Sequence, residues 1–347
     1  MDDVASAQRE ERGISVIGLG HWGPHYVRIF SQLAGARVVS CCDTDRDRVR
    51  EVANSFPGVY ATADPEEIYA SEETSAVVIA TPASTHFDIA MRCLELGKDL
   101  LVEKPLSLTS DDCAMLVDKA QERGAILMVG HTFIYNAGVR KLKELVDAGE
   151  LGHIYYLLFT RTHLGLIRDD VSAIWDLAPH DISIASHLLG SPPEGVSAVG
   201  RAFLKDGRQD VAFVTLFYPD DVVANIHVSW IDSNKERRVT VVGSDRRVVF
   251  DDLNNLETIK IFEKGVSVEK PVADFGEFQL LLRDGDIISP KIETSEPLRN
   301  MCRHFLDCLE TRQNPITNGL SGLLTVKVIE AIEVSLAEKG CYVPIES

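Results

Sequence analysis

From Ile14 the chain alternates short apolar runs with longer amphipathic stretches, and this alternation constrains its fold more than any other feature. ISVIGLG is followed by PHYVRIFSQLA, RVVSCCD by DRVREVANSF, AVVIATP by THFDIAMRCLELG, and DLLVEKP closes the series. Runs that are apolar at every position, such as Ala76 to Ala80, suit strands covered on both faces, as in a parallel sheet flanked by helices. Gly97, Gly124 and Gly130 stand where helices or turns should stop. Beyond Gly130 the pattern changes. A helix is expected around Ala137 to Ala148. The stretches HIYYLLFTRTHL, SAVGRAFL, VAFVTLFY, VVANIHVSW, RRVTVVG and RRVVFDD then follow, joined by short turns. They predict a largely antiparallel open sheet. The alternation of Val222, Ala224, Ile226 and Val228 gives that sheet one covered face. Two helices, near Pro297 to Thr311 and Gly319 to Lys339, should close the chain.

Charge and cysteine usage limit the partners. With 35 Lys and Arg against 53 Asp and Glu, the net charge of −18 repels phosphate backbones and anionic lipid. Nucleic acid and membrane are therefore not expected partners. No window approaches the roughly 18 apolar residues that a membrane span needs. Seven cysteines without paired spacing suggest reduced thiols and a cytoplasmic protein. No grouping of His with Cys has metal-ligand spacing, so no metal is expected.

Gly18-Leu19-Gly20-His21-Trp22-Gly23 follows the strand ISVI and opens an amphipathic stretch. Glycines at these positions permit a tight turn, close approach of a pyrophosphate and close helix packing, while the helix N-terminus offers N–H donors. Asp43 ends the second strand about 20 residues further on, where a carboxylate should meet ribose hydroxyls. A dinucleotide is the expected cofactor: NAD in view of Asp43, with NADP as the alternative because Arg46 or Arg48 could reach a 2′-phosphate. Thr81 and Pro82 end the fourth apolar strand and should border the same crevice, because ligands of open α/β sheets lie beyond the carboxyl ends of the strands. His21 and Trp22 lie within the glycine loop. Thr85 and His86 open the next helix, as cofactor neighbours or as capping groups. The expected architecture is α/β. It comprises a disordered tail over residues 1–12, an N-terminal Rossmann dinucleotide-binding domain over 13–131, and a C-terminal α+β domain over 132–347 built on a large, mostly antiparallel open sheet.

Glu103-Lys104-Pro105 ends a buried strand. Lysine is costly to bury, so Lys104 is either paired with an acid for structure or placed for chemistry.

Taken together, GLGHWGP with YVRIF, ATPASTHFDIA, GKDLLVEKPLSLT, LMVGHTFIYNAGVRKLKELVDAGELGHIYY and WDLAPHDISIASHLLG resemble the Gfo/Idh/MocA family of glucose-fructose oxidoreductase and inositol dehydrogenase. The resemblance runs from about Ile14 to the final helix and is densest in the first half. It implies NAD(P)-dependent oxidation or reduction at a sugar or cyclitol carbon, and assembly into homodimers or homotetramers through the open sheet. The family's E-K-P lysine falls on Lys104, with Glu103 beside it at the cofactor, and its D-x-x-x-H pair falls on Asp176 and His180. Residues four apart on a helix share a face, and a histidine suits a base that takes a hydroxyl proton. The role of base stays open between Lys104 and His180. The branch that acts on nucleotide-activated sugars is the most similar, which implies oxidation at C3 of a UDP-N-acetylaminosugar uronate-like substrate. The alternatives are an NADPH-dependent ketosugar reductase, an inositol dehydrogenase and a non-catalytic dinucleotide sensor. An anionic sugar needs cationic anchors, for which Arg161, His163 and Arg168 are candidates. RTHLGLIRDDVSAIWD departs from the family pattern by placing His163 and Ser172 where Asn is usual.

Overall fold

A computed structural model describes residues 11–165, 167, 171–268, 280–293 and 295–346. The chain divides into two compact units. The first combines the residues up to 132 with 296–326, and the second combines 133–295 with 327–347. The division between residues 132 and 133 lies within one residue of the boundary expected after residue 131, and a late segment, 296–326, groups with the first unit in addition.

In the first unit β1 (Arg12–Ile17), β2 (Ala36–Cys42), β3 (Tyr60–Thr62), β4 (Ala76–Ile79), β5 (Asp99–Val102) and β6 (Leu127–Val129) alternate with α1 (Gly23–Phe30), α2 (Arg46–Ser55), α3 (Pro65–Ala70), α4 (His86–Glu95) and α5 (Ser110–Arg123). The strands form one parallel sheet in the order β3-β2-β1-β4-β5-β6. Its order reverses between β1 and β4, which opens a crevice beyond their carboxyl ends. Ala76 to Ile79 are fully buried, as expected for a strand covered on both faces. Short acceptors set the helix starts: Asp45, Asp64 and Thr109 cap α2, α3 and α5 through N–H groups of the first turn. Later in the chain α8 (Pro297–Thr311) is followed by α9 (Gly319–Ala337), whose opening residues also belong to this unit. Phe305 on α8 meets Phe30 edge-on, Arg312 pairs with Asp99 at 2.7 Å, and Thr317 exchanges hydrogen bonds with the backbone of Val129. The late segment thereby closes the outer edge of β6.

The second unit opens with α6 (Ala137–Asp147), β7 (Ile154–Leu164), α7 (Ala173–Leu189), β8 (Gly195–Arg201), β9 (Val211–Phe217) and β10 (Val223–Ser229). It continues through β11 (Ile231–Gly243), β12 (Arg247–Asp251), β13 (Ile259–Phe262), β14 (Gly265–Val268), β15 (Leu280–Arg283), β16 (Ile287–Ile288) and β17 (Val343–Pro344). Nine strands form a sheet in the order β16-β13-β12-β11-β7-β10-β9-β8-β17, and β14 pairs separately with β15. All neighbours in the large sheet are antiparallel except β7 and β10. Leu157, Phe159, Val222, Ala224, Ile226 and Val228 are buried on the face beneath α7. The opposite face carries exposed apolar side chains, among them Tyr156, Leu158, Val199 and Phe213.

Candidate active site

The glycine loop is built by exclusion of atoms. Gly18 has φ +95°, and a Cβ there would lie 2.6 Å from the backbone of Ala80 and Thr81, so the turn after β1 packs directly on the turn after β4. A Cβ on Gly23 would lie 2.0 Å from the Gly18 carbonyl oxygen, which forces the first turn of α1 against the loop. Gly20 differs, because a Cβ there would meet only the tip of Arg48 at 3.8 Å. Space is therefore left where a pyrophosphate would approach, at the N-terminal end of α1. Asp43 reaches the same loop: its Oδ2 accepts the Leu19 N–H at 2.6 Å and its Oδ1 accepts that of Asp45 at 2.8 Å. A carboxylate has lone pairs beyond these two and can still accept ribose hydroxyls. Arg48, rather than Arg46, is the cation beside it, 3.7 Å from Asp43, while Arg46 stands exposed at the start of α2. His21 and Trp22 sit exposed on the rim of the loop with their rings near-perpendicular, edge to face.

The turns after β4 and β5 are tied together by His86. Its Nδ1 lies 2.8 Å from the Pro105 carbonyl oxygen and its Nε2 lies 3.0 Å from that of Thr81. Burial lowers its pKa, against the pull of the two carbonyls. His86 thus holds the loops that carry Thr81, Pro82 and Lys104, instead of presenting its ring to a cofactor. Glu103 also turns inward rather than toward the crevice. It is buried, accepting the Tyr26 hydroxyl on Oε1 at 2.6 Å and the Lys104 backbone N–H on Oε2 at 3.2 Å. A donor on α1 was available to take the carboxylate into the interior, and no local pattern around Glu103 reveals it. Lys104 itself is half-buried at the carboxyl end of β5. His131, just past β6, is buried, and among the described residues neither ring nitrogen has a hydrogen-bond partner. Burial is the main cause, and nearby Lys104 a further one, of a pKa lowered to about 4.

In the second unit α7 begins at Ala173 with Ser172 at its N-cap, so Asp176 lies in the first turn rather than at the cap, one turn before His180. Pro179 falls inside the helix and supplies no N–H to it. The Trp230 indole N–H donates to Asp176 Oδ2 at 3.3 Å. The His180 ring meets Phe133 edge-on at 4.7 Å, and the guanidinium groups of Arg161 at 4.3 Å and Arg237 at 5.7 Å also lie against the Phe133 ring. Arg161 is not an available anion anchor. It is buried, and Asp181 holds it through both Nε and Nη at 2.7–3.1 Å. The sequence contains the signal for this pair: Arg161 shares the inward face of β7 with Leu157 and Phe159, and a buried guanidinium requires an acid. Asp181, directly after His180, is that acid. His163 is partly buried; burial lowers its pKa, Asp176 raises it, and the nearby cations Arg237, Lys235 and Arg161 lower it further. A Cβ on Gly165 would collide with the His163 ring at 2.1 Å, so the chain folds back closely over that histidine. Arg168 lies outside the described residues. Among the described residues no group of His, Cys, Asp and Glu could hold a metal ion, and no helix is long and apolar enough to cross a membrane.

Two family descriptions match the chain. The oxidoreductase family with an NAD-binding Rossmann fold, GFO_IDH_MocA, covers residues 12–131. The GFO/IDH/MocA C-terminal domain covers residues 139–249. Among curated proteins, UDP-N-acetylglucosamine 3-dehydrogenase of Acidithiobacillus ferrooxidans is 29% identical over 316 residues, spanning 88% of this chain and 91% of the relative. The NAD(+)-dependent scyllo-inositol 2-dehydrogenase of Bacillus subtilis is 26% identical over 326 residues, with 90% and 91% covered. A solved structure of the A. ferrooxidans enzyme superposes with a TM-score of 0.80 over 94% of this chain and 98% of its own, at 26% identity.

Proposed function

Since the chain belongs to the Gfo/Idh/MocA family of NAD-binding oxidoreductases, we propose that it oxidises a secondary hydroxyl of a nucleotide-activated sugar, at C3 of a UDP-N-acetylaminosugar uronate-like substrate. The observation that carries the choice of an anionic sugar is the positive group of Lys235 and Arg237 on β11 beside His163, in a chain of net charge −18. Arg237 approaches Asp252 at 3.5 Å yet keeps 39% of its side chain exposed, so its charge is available to a ligand. The similarity to a UDP-N-acetylglucosamine 3-dehydrogenase supports the same choice.

In this reading the N-terminus of α1 and Gly20 receive the pyrophosphate, Asp43 takes the ribose hydroxyls, and Thr81 and Pro82 border the nucleotide. NAD, when bound, supplies the carbon that accepts hydride. Lys104 donates a hydrogen bond to the substrate oxygen and stabilises the developing alkoxide. His180 takes the hydroxyl proton, and Asp176, steadied by Trp230, orients the substrate from one turn earlier on α7. Two further proposals complete the reading. A second copy of the chain covers the exposed apolar face of the large sheet, giving a dimer or tetramer, and the unpaired cysteines suit the cytoplasm.

An inositol dehydrogenase is the second reading, favoured by the loss of Arg161 as an anion anchor and by the similarity to the scyllo-inositol enzyme. An absorbance screen at the nicotinamide band with UDP-aminosugar uronates, dTDP-ketosugars and inositols separates the two, because each reading expects turnover with its own class alone. Lys104→Ala and His180→Ala should each lower turnover at least ~10²-fold while NADH titrations stay nearly unchanged. Near-normal turnover in both variants would remove the assignment.

A further inference from the structure

An ion pair is costly to bury, and Arg161 and Asp181 are only 6% and 2% exposed. Asp181 accepts from Nε of Arg161 at 3.1 Å and from Nη2 at 2.7 Å, so the guanidinium plane is fixed at two of its nitrogens. Apolar residues of similar volume are often as stabilising as such a pair, so stability alone does not account for it. The register of the sheet adds a further cost. Arg237 on β11 stands directly opposite Arg161 on β7, which places two guanidinium groups on one face.

Both guanidinium groups lie against the same ring. The Cζ of Arg161 is 4.3 Å from the centroid of Phe133 and that of Arg237 is 5.7 Å from it, within the range of a cation–π contact. Arg161 is the closer of the two, and Asp181 immobilises it. The Phe133 ring in turn meets the His180 ring with 4.7 Å between centroids and 63° between planes, the edge-to-face arrangement that aromatic pairs favour. His180 and Asp181 are consecutive residues of α7. The contacts therefore run from Asp181 through Arg161 and Phe133 to His180, and return to the helix on which they began.

We propose that Phe133 is a positioning residue for His180, and that the Arg161–Asp181 pair is the fixed plate against which Phe133 is held. A histidine ring turns about two side-chain bonds, and a general base is effective only when its nitrogen points at the proton it takes. Phenylalanine has no hydrogen-bonding group, so it sets the tilt of the imidazole without engaging either ring nitrogen. The inference rests on the reading that His180 stands at the reacting hydroxyl, but the ring contact can be measured without any substrate.

The first measurement is NMR of the full-length protein labelled at the histidine Cε1, the His180 signal being identified by its loss in His180→Ala. The ring current of Phe133 displaces that signal, so Phe133→Leu should move it, whereas Phe133→Tyr, which keeps the ring, should leave it near its wild-type position. The second measurement is turnover of a UDP-N-acetylaminosugar uronate. Phe133→Leu should lower kcat about five- to ten-fold with KM within about two-fold, and Phe133→Tyr should recover most of the loss. Arg161→Met combined with Asp181→Leu removes the plate without stranding a charge, and should lower kcat in the same way. Where that double variant does not fold, Phe133→Leu decides. A His180 signal unmoved by Phe133→Leu would overturn the proposal. So would an undiminished kcat in Phe133→Leu or in the folded double variant, a loss confined to KM, or a Phe133→Tyr protein as slow as Phe133→Leu. No turnover by the wild type, or turnover that survives His180→Ala, would instead refute the functional reading and leave the ring measurement standing.

Discussion

A neutral imidazole sealed inside a protein is a base that folding has switched off, and His131 is in that state. Its unfolded form binds a proton near pH 6.5 and its folded form only near pH 4. The stabilisation is complete above about pH 6.5 and is lost as the pH falls toward 4, because only the unfolded chain then gains the proton. Over that window the cost is of the order of 3 kcal/mol. Denaturant unfolding at several pH values should show the wild type losing more stability between pH 7 and 4.5 than His131→Phe. Equal slopes would mean that the ring is satisfied in solution by a partner such as ordered water. Individual residues were legible in the sequence where a rule of position applies. Asp43 is on the glycine loop because a carboxylate ending the second strand of such a sheet has few other places to go. Asp176 and His180 share α7 at the expected spacing. Tyr26 was not legible as a partner of Glu103, since 77 residues separate them and a tyrosine on the buried face of a helix reads as packing alone. The inward turn of His86 was hidden for the same reason: two backbone carbonyls from different loops leave no mark in the composition.

Among the elements, the turn from β1 into α1 gives the sharpest separation of folding from binding. Gly18 and Gly23 have no room for a side chain, whereas Gly20 does. Gly18→Ala and Gly23→Ala should therefore each lower Tm by about 5 °C or more, while Gly20→Ala should hold Tm within about 2 °C. NADH affinity, measured by fluorescence titration, should nevertheless fall at least about ten-fold in Gly20→Ala, because a methyl group would occupy the path of the pyrophosphate. Unchanged affinity would place the phosphates elsewhere. The long elements were readable because their periodicity is: α6 and α8 start where the sequence marks them, and the buried register of β10 follows its apolar alternation. β11 was read only as RRVTVVG, yet it begins at Ile231, before a register shift that leads into Glu236. An irregular strand breaks the two-residue period from which strands are recognised. The two-residue strands β16 and β17 are too short to show a period.

For the whole molecule, the open sheet of the second unit has the larger consequence. Phe213 is 48% exposed and stacks on His227, among other apolar side chains of the same face. If a second copy covers this face, Phe213→Lys should shift the light-scattering mass from an oligomer toward a monomer, with the far-UV circular dichroism unchanged. A wild-type monomer would refute that assignment. The existence of two units, one parallel and one mostly antiparallel, was visible in the switch from fully apolar to alternating strands. The return of α8 to the first unit was not, because an amphipathic helix announces that it has a buried face and not which sheet it covers. Thr317 and Val129 exchange both a side-chain and a backbone hydrogen bond, 188 residues apart in the chain. That separation imposes an order on synthesis. When the ribosome has released everything through β6, the dinucleotide-binding unit still lacks the segment that seals its last strand, and it stays unfinished until residues 133–295 of the second unit and then the late segment itself have been translated. Maturation is thus bound to the synthesis of residues 296–326, and a chain cut short before them would leave a bare strand edge open to aggregation.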